Sequence, residues 1–127
     1  MKEILVDIET YSEVDIGKCG LYRYATDPSF EILLIAWATN EGAGFGETKC
    51  ADLASGETIP MELLEAFQSG SVRLIAHNAA FERVCFSVHL NRYCPGQHET
   101  GQREDYRKKP KSHGVLRHLR HHCVSLV

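Results

Sequence analysis

The chain has 127 residues, room for one domain with a single modest core and too few for two domains of ordinary size. Its formal net charge of −3 sums two unlike segments: residues 1–90 hold six Lys and Arg against fourteen Asp and Glu, and residues 91–127 hold eight against three. The longest apolar run, Ile32 to Ala38, is seven residues and acids stand among the first ten positions, so neither a membrane-spanning helix nor a secretory leader is expected.

Lys2 to Ile8 (KEILVDI) is a short apolar, β-branched run that predicts a strand. Residues 10–29 are mixed, a short helix or an irregular excursion around CGLYRYA, with a turn at Asp27-Pro28. Phe30 to Thr39 (FEILLIAWAT) is apolar nearly throughout and predicts a buried strand, with Gly42 to Lys49 as its weaker hairpin partner. Ala51 to Thr58 has turn composition. Pro60 then introduces MELLEAFQ, where Met61, Leu64 and Phe67 recur at helical spacing. Val72 to Ala76 predicts another strand. From Asn78, a plausible N-cap, the chain becomes helical with Phe81, Val84, Cys85 and Val88 on one face. The order implies an α/β domain built on a mixed sheet with flanking helices. A core is expected only here, since the single Trp and all five Phe fall in the first 90 residues.

Two places could carry chemistry. Asp7 and Glu9 are two apart at the end of a strand, so alternation puts both carboxylates on one face. Like charges held close are costly, and a divalent cation offsets the repulsion; oxygen-only ligands favour Mg²⁺ or Mn²⁺. Two solvated acids beside a loop are the plainer alternative, since a D-x-E tripeptide is unspecific. The second place is AHNAAFER, residues 76–83, where a strand gives way to a helix and Glu82 lies about one turn in. If this strand neighbours the first, Glu82 reaches the carboxylate pair; otherwise it is a surface acid.

Together, VDIET and, about 70 residues later, AHNAAFE resemble the first two motifs of the DEDD-type 3′-to-5′ exonucleases, whose fold is ribonuclease H-like. The similarity is closer to the proofreading domain of phage and prophage family A DNA polymerases and extends over residues 3 to about 93. It implies that Asp7, Glu9 and Glu82 are metal-binding catalytic carboxylates. It further implies that Asn78 and Phe81 lie against a 3′-terminal nucleotide, and that Thr10 and Tyr11 cradle its sugar and base. Glu82 departs from the Asp of many members, and its longer arm still suits a metal. The implied activity is two-metal hydrolysis at a single-stranded DNA 3′ end with no protein nucleophile. Aromatic contacts from Tyr11 and Phe81 would accept any base.

The third motif of that family, Tyr-x-x-x-Asp or His-x-x-x-x-Asp, has no counterpart after Tyr93, where Asp105 stands in unlike surroundings. Residues 94–127 form a basic, His-rich tail with little apolar periodicity, expected to be disordered or read out of frame, which would leave the exonuclease domain incomplete. A catalytically inactive remnant that binds single-stranded nucleic acid weakly is therefore the alternative function. Cys94, His98, His118, His121, His122 and Cys123 match no familiar closed zinc site. The basic run Arg103 to Lys111 suits phosphates or simple solvation. Five cysteines without a C-x-x-C pair suggest reduced thiols and a cytoplasmic setting. Oligomeric state is not legible.

Overall fold

A computed structural model of the chain describes residues 1–93 and the backbone of residues 123–125. The elements run β1 (Lys2–Tyr11), α1 (Ile16–Thr26), β2 (Glu31–Asn40), β3 (Lys49–Asp52), a 3₁₀ turn (Leu53–Ser55), α2 (Met61–Gln68), β4 (Val72–Ala76), α3 (Ala79–Tyr93) and β5 (Cys123–Ser125). The strands make one sheet in the order β3-β2-β1-β4-β5. β1, β2 and β3 pair antiparallel, whereas β4 is parallel to β1 and β5 to β4. This is the expected α/β class with a mixed sheet. Among the described residues no helix is long and apolar enough to cross a membrane.

Period-2 alternation makes the sheet two-sided. Ile4, Val6 and Ile8 of β1 join Ile35 and Trp37 of β2 and Leu74 and Ala76 of β4 in one buried cluster, which also takes in Ala25, Leu63, Phe67, Cys85 and Phe86 from the helices. Phe67 of α2 meets Phe86 of α3 with ring centroids 4.8 Å apart. Each fully buried side chain of this size contributes roughly 1.5–3 kcal/mol. On α3, Arg92 donates from Nη1 to the Phe30 carbonyl at 2.7 Å and from Nη2 to the Asp27 carbonyl at 2.8 Å. That guanidinium therefore fastens the end of α3 to the turn where α1 gives way to β2.

Gly42 to Lys49 turns back on β2 as a weak partner: Gly42 and Gly44 have φ of 123° and 98°, Asn40 Oδ1 accepts from both their N–H groups, Phe45 bridges to Asn40, the Gly46 N–H donates to the Thr39 carbonyl at 2.9 Å, and the regular ladder begins at Lys49. Two local expectations are corrected. α2 is rotated from the face drawn by Met61, Leu64 and Phe67, because Leu63, Ala66 and Phe67 are the buried residues and Met61 is exposed. β5 was not foreseen in the tail. The other tail expectations, disorder, a shifted reading frame, a zinc site and nucleic-acid binding by Arg103 to Lys111, concern residues 94–127 and lie outside the described residues apart from the β5 backbone.

The rotation of α2 has a visible cause in Glu62. Its carboxylate accepts from Trp37 Nε1 at 3.0 Å, Thr39 Oγ1 at 2.9 Å and Lys49 Nζ at 3.2 Å, and Lys2 Nζ lies 3.5 Å away. The Trp37 hydrogen bond above all, with those from Thr39 and Lys49 and the charge of Lys49, outweighs partial burial and holds the carboxyl down at about 2 from 4.5. Since the folded value is depressed, this stabilisation is present above pH 4.5 and is lost as pH falls towards 2. Glu62→Ala is expected to lower stability by about 2 kcal/mol at neutral pH, after discounting for solvent screening. In urea unfolding the gap between variant and wild type should narrow as pH falls below 4.5; a gap independent of pH would remove the carboxylate as its cause.

Candidate active site

The ladder of β1 with β4 covers Lys2 to Leu5, while its ladder with β2 runs from Glu3 to Tyr11. β1 therefore projects past the end of β4, and the turn into α3 begins beside the projection. Crevices at the carboxyl ends of parallel strands are where α/β sheets place ligands. Asp7 and Glu9 stand on this projecting stretch, both exposed, alternating with buried Val6 and Ile8. The shared face expected from their spacing is present. Opposite the Glu9–Thr10 step the register shifts: Glu9 pairs with Leu34 and Thr10 with Ile32, so that Leu33 is an extra residue in β2. Such bulges bend a strand and re-aim its side chains.

α3 starts directly after β4. The Asn78 carbonyl accepts from the N–H groups of Phe81 at 2.9 Å and Glu82 at 3.3 Å, which forms the first turn. Asn78 itself is exposed at this entry. Glu82 is only 3% exposed, and its Oε2 has no hydrogen-bond partner among the described residues. Burial pushes its carboxyl up to about 7 from 4.5, its backbone N–H pulls the other way, and the negative charge of Asp7 adds to the rise. One turn on, burial and then the Glu82 charge push the Cys85 thiol up to about 12, which makes it an inert core residue. Glu82 is thus not the surface acid of the plainer alternative. It occupies the buried stripe Ala79, Glu82, Cys85, Phe86 and Leu90, a position where helical spacing calls for an apolar residue.

Asp7 and Glu82 accordingly face one another electrostatically across the junction of β1 and α3. Among the described residues no three or more His, Cys, Asp or Glu side chains gather closely enough to hold a metal ion, so Glu9 is not drawn into one cluster with the pair. A buried carboxylate oxygen without a partner among the described residues, within electrostatic reach of a second carboxylate, is nevertheless of the hard-oxygen donor type that suits a Mg²⁺-like ion, for which the pair would supply two ligands.

The residues expected to contact a nucleotide lie on the same two stretches as this pair, the end of β1 and the entry to α3. Tyr11 is 50% exposed at the end of β1. Phe81 is partly buried against the core, and its ring centroid lies 6.2 Å from that of Tyr24. Thr10 Oγ1 and the Tyr24 hydroxyl are hydrogen-bonded at 2.8 Å, and the Tyr24 ring also meets Phe30 edge-on at 5.9 Å. Tyr24 thereby joins two predicted site residues without having been singled out itself. It arises from α1, a helix that breaks at Gly20, where φ is 80° and ψ 170°, so that no continuous helical stripe marks it. α1 opens on Asp15, whose side chain accepts from the Gly17 N–H, and it stops before Pro28.

No protein-family model matches the chain, and no solved structure matches it significantly. A DNA polymerase of Bacillus phage SP02 is 46% identical to it over 91 residues, which are 72% of this chain and 13% of that polymerase. The chain is therefore similar to a part of a phage DNA polymerase and spans a small share of that relative's length.

Proposed function

We propose that the chain carries the metal-binding core of a 3′-to-5′ proofreading exonuclease of ribonuclease H-like fold, of the kind attached to phage DNA polymerases. The observation that carries this reading is the buried Glu82 carboxylate, one oxygen of which has no hydrogen-bond partner among the described residues, within electrostatic reach of Asp7 where β1 outruns β4. The sheet, with an antiparallel β1-β2-β3 half and a parallel β1-β4-β5 half, is in keeping with such a fold. The 46% identity to a phage DNA polymerase supports the polymerase context.

Asp7 and Glu82 would hold a Mg²⁺ or Mn²⁺ ion, with Glu9 next to Asp7 as a further ligand. When bound, the ion supplies Lewis-acid polarisation of the phosphate and activation of water. In the hydrolysis, the oxygen of water forms a bond to phosphorus and the P–O3′ bond breaks. A proton passes to the departing 3′ oxygen, and a 5′-mononucleotide leaves. Thr10, Tyr11, Asn78 and Phe81 orient the terminal nucleotide by hydrogen bonding and stacking. Residues 1–90 carry an excess of eight acids over basic residues, so a bound cation is also what lets a polyanion approach.

The expected result is release of mononucleotides from a single-stranded DNA 3′ end in Mg²⁺ or Mn²⁺, abolished by EDTA and followed by gel electrophoresis of a 5′-labelled strand. The separation of Glu9 from any three-ligand cluster favours the second reading, a non-catalytic module that binds single strands weakly. Strand binding without metal-dependent shortening would decide for that module; neither binding nor shortening would overturn both.

A further inference from the structure

We propose that Tyr24, on α1, is a positioning residue for the 3′-terminal nucleotide, acting through the Thr10 hydroxyl and the Phe81 ring. The inference rests on the exonuclease reading and goes beyond it by adding α1 to the site. Three observations converge on one side chain. The Tyr24 hydroxyl and Thr10 Oγ1 are 2.8 Å apart. The Tyr24 ring packs against Phe81 at the start of α3 and against Phe30 at the start of β2. The Tyr24 carbonyl accepts from Ser12 Oγ at 2.9 Å, and Ser12 Oγ in turn accepts from the Val14 N–H at 3.3 Å. The segment leaving β1 is thus tied to α1 at two points.

The chemistry of the hydroxyl pair indicates what it would recognise. Either oxygen can donate in the shared bond. Two hydroxyls carry two protons, and the mutual bond uses one of them, so one donor is left whichever way the bond runs. Thr10 and Tyr24 are only partly buried, so that donor can reach an incoming group. The complementary partner is an acceptor oxygen, which a terminal nucleotide presents on its sugar and phosphate. The ring contact sets where Phe81 stands relative to Thr10, so an oxygen at one and a base at the other meet a fixed spacing.

Tyr24→Phe keeps both ring contacts and removes only the hydroxyl. Binding is read by fluorescence anisotropy of the full chain, with Ca²⁺ in place of Mg²⁺ to prevent shortening, on a labelled single strand with a free 3′ hydroxyl. A circular single strand serves as competitor. Tyr24→Phe is expected to weaken binding of the linear strand about three- to tenfold, the worth of one hydrogen bond, and to leave competition by the circle unchanged. Thr10→Val should weaken it comparably, and the double variant no further than either alone. Should Tyr24→Phe fail to fold, Thr10→Val and Thr10→Ser make the same test from the other side of the bond, with Ser restoring what Val removes. Equal binding by Tyr24→Phe and wild type, or equal losses on linear and circular strands, would overturn the positioning role and leave the exonuclease reading standing. A wild type that does not prefer the 3′ end would remove both.

Discussion

Asp7→Asn is expected to lower the Mg²⁺-dependent release of 3′-terminal nucleotides by roughly 10²-fold or more, the scale on which removal of one well-placed electrostatic group acts. The substitution is nearly isosteric, and Asp7 is exposed, so the sheet should survive it. A second consequence follows from the neighbouring carboxyl. The Asp7 charge helps to raise Glu82, so in Asp7→Asn the Glu82 carboxyl should ionise at lower pH. In the absence of divalent metal the variant should therefore be as stable as wild type or more stable at neutral pH, while its activity is lost. Activity and stability moving apart mark a residue held in place for function at some cost to the fold. If stability falls together with activity, Asp7 supports the architecture, and its part in a metal site is lost as an explanation.

The largest gain in stability is expected at Glu82. The folded chain keeps the Glu82 proton up to about pH 7, whereas the unfolded chain releases it near 4.5. Between those values the unfolded state binds fewer protons, so stability falls as pH rises and levels off above pH 7. Glu82→Gln removes the titration while keeping the shape of the side chain. It should leave stability almost unchanged below pH 4.5 and raise it by on the order of 2 kcal/mol above pH 7, after allowance for partial screening. Urea unfolding across this range reads the difference directly. Mg²⁺ should stabilise the wild type most at high pH, where the carboxylate is ionised, and stabilise Glu82→Gln much less. Parallel pH curves for the two proteins would show that Glu82 ionises as freely in the folded state as in the unfolded one.

Much of this site is legible in the chain because it depends on short-range periodicity. A two-residue step along a strand suffices to put Asp7 and Glu9 on one face, and a strand-to-helix transition after Ala76 suffices to bring Glu82 to the sheet edge. The burial of Glu82 needs one more step, the observation that position 82 continues a stripe otherwise held by Ala79, Cys85, Phe86 and Leu90. Where sequence patterning misleads, the missing determinants are tertiary. The face of α2 is decided by four groups from β1, β2 and β3 that converge on Glu62, none of them within α2. The place of β3 depends on two glycines with positive φ that turn the chain back, with a single bridge from Phe45 to Asn40 before the regular ladder begins at Lys49. β5 is three residues long, below any periodicity, and is defined by its parallel ladder with Leu74 to Ala76. Tyr24 belongs to a helix broken at Gly20, and its importance lies in contacts with Thr10 and Phe81 far from it in the chain.

The extra residue in β2 gives the site a different kind of constraint. Leu33 faces no partner, since Thr10 pairs with Ile32 while Glu9 pairs with Leu34. An unpaired extra residue bends its strand and increases the local twist. Loss of Leu33 would leave both pairs in place as direct neighbours and remove the bend, so that Thr10 and Tyr11 would meet α1 at a different angle. Exchange of one aliphatic residue for another at position 33 would leave the bend as it is. The aim of the end of β1 is thus encoded as a count of residues in the neighbouring strand, indifferent to side-chain chemistry at that position and sensitive to its deletion.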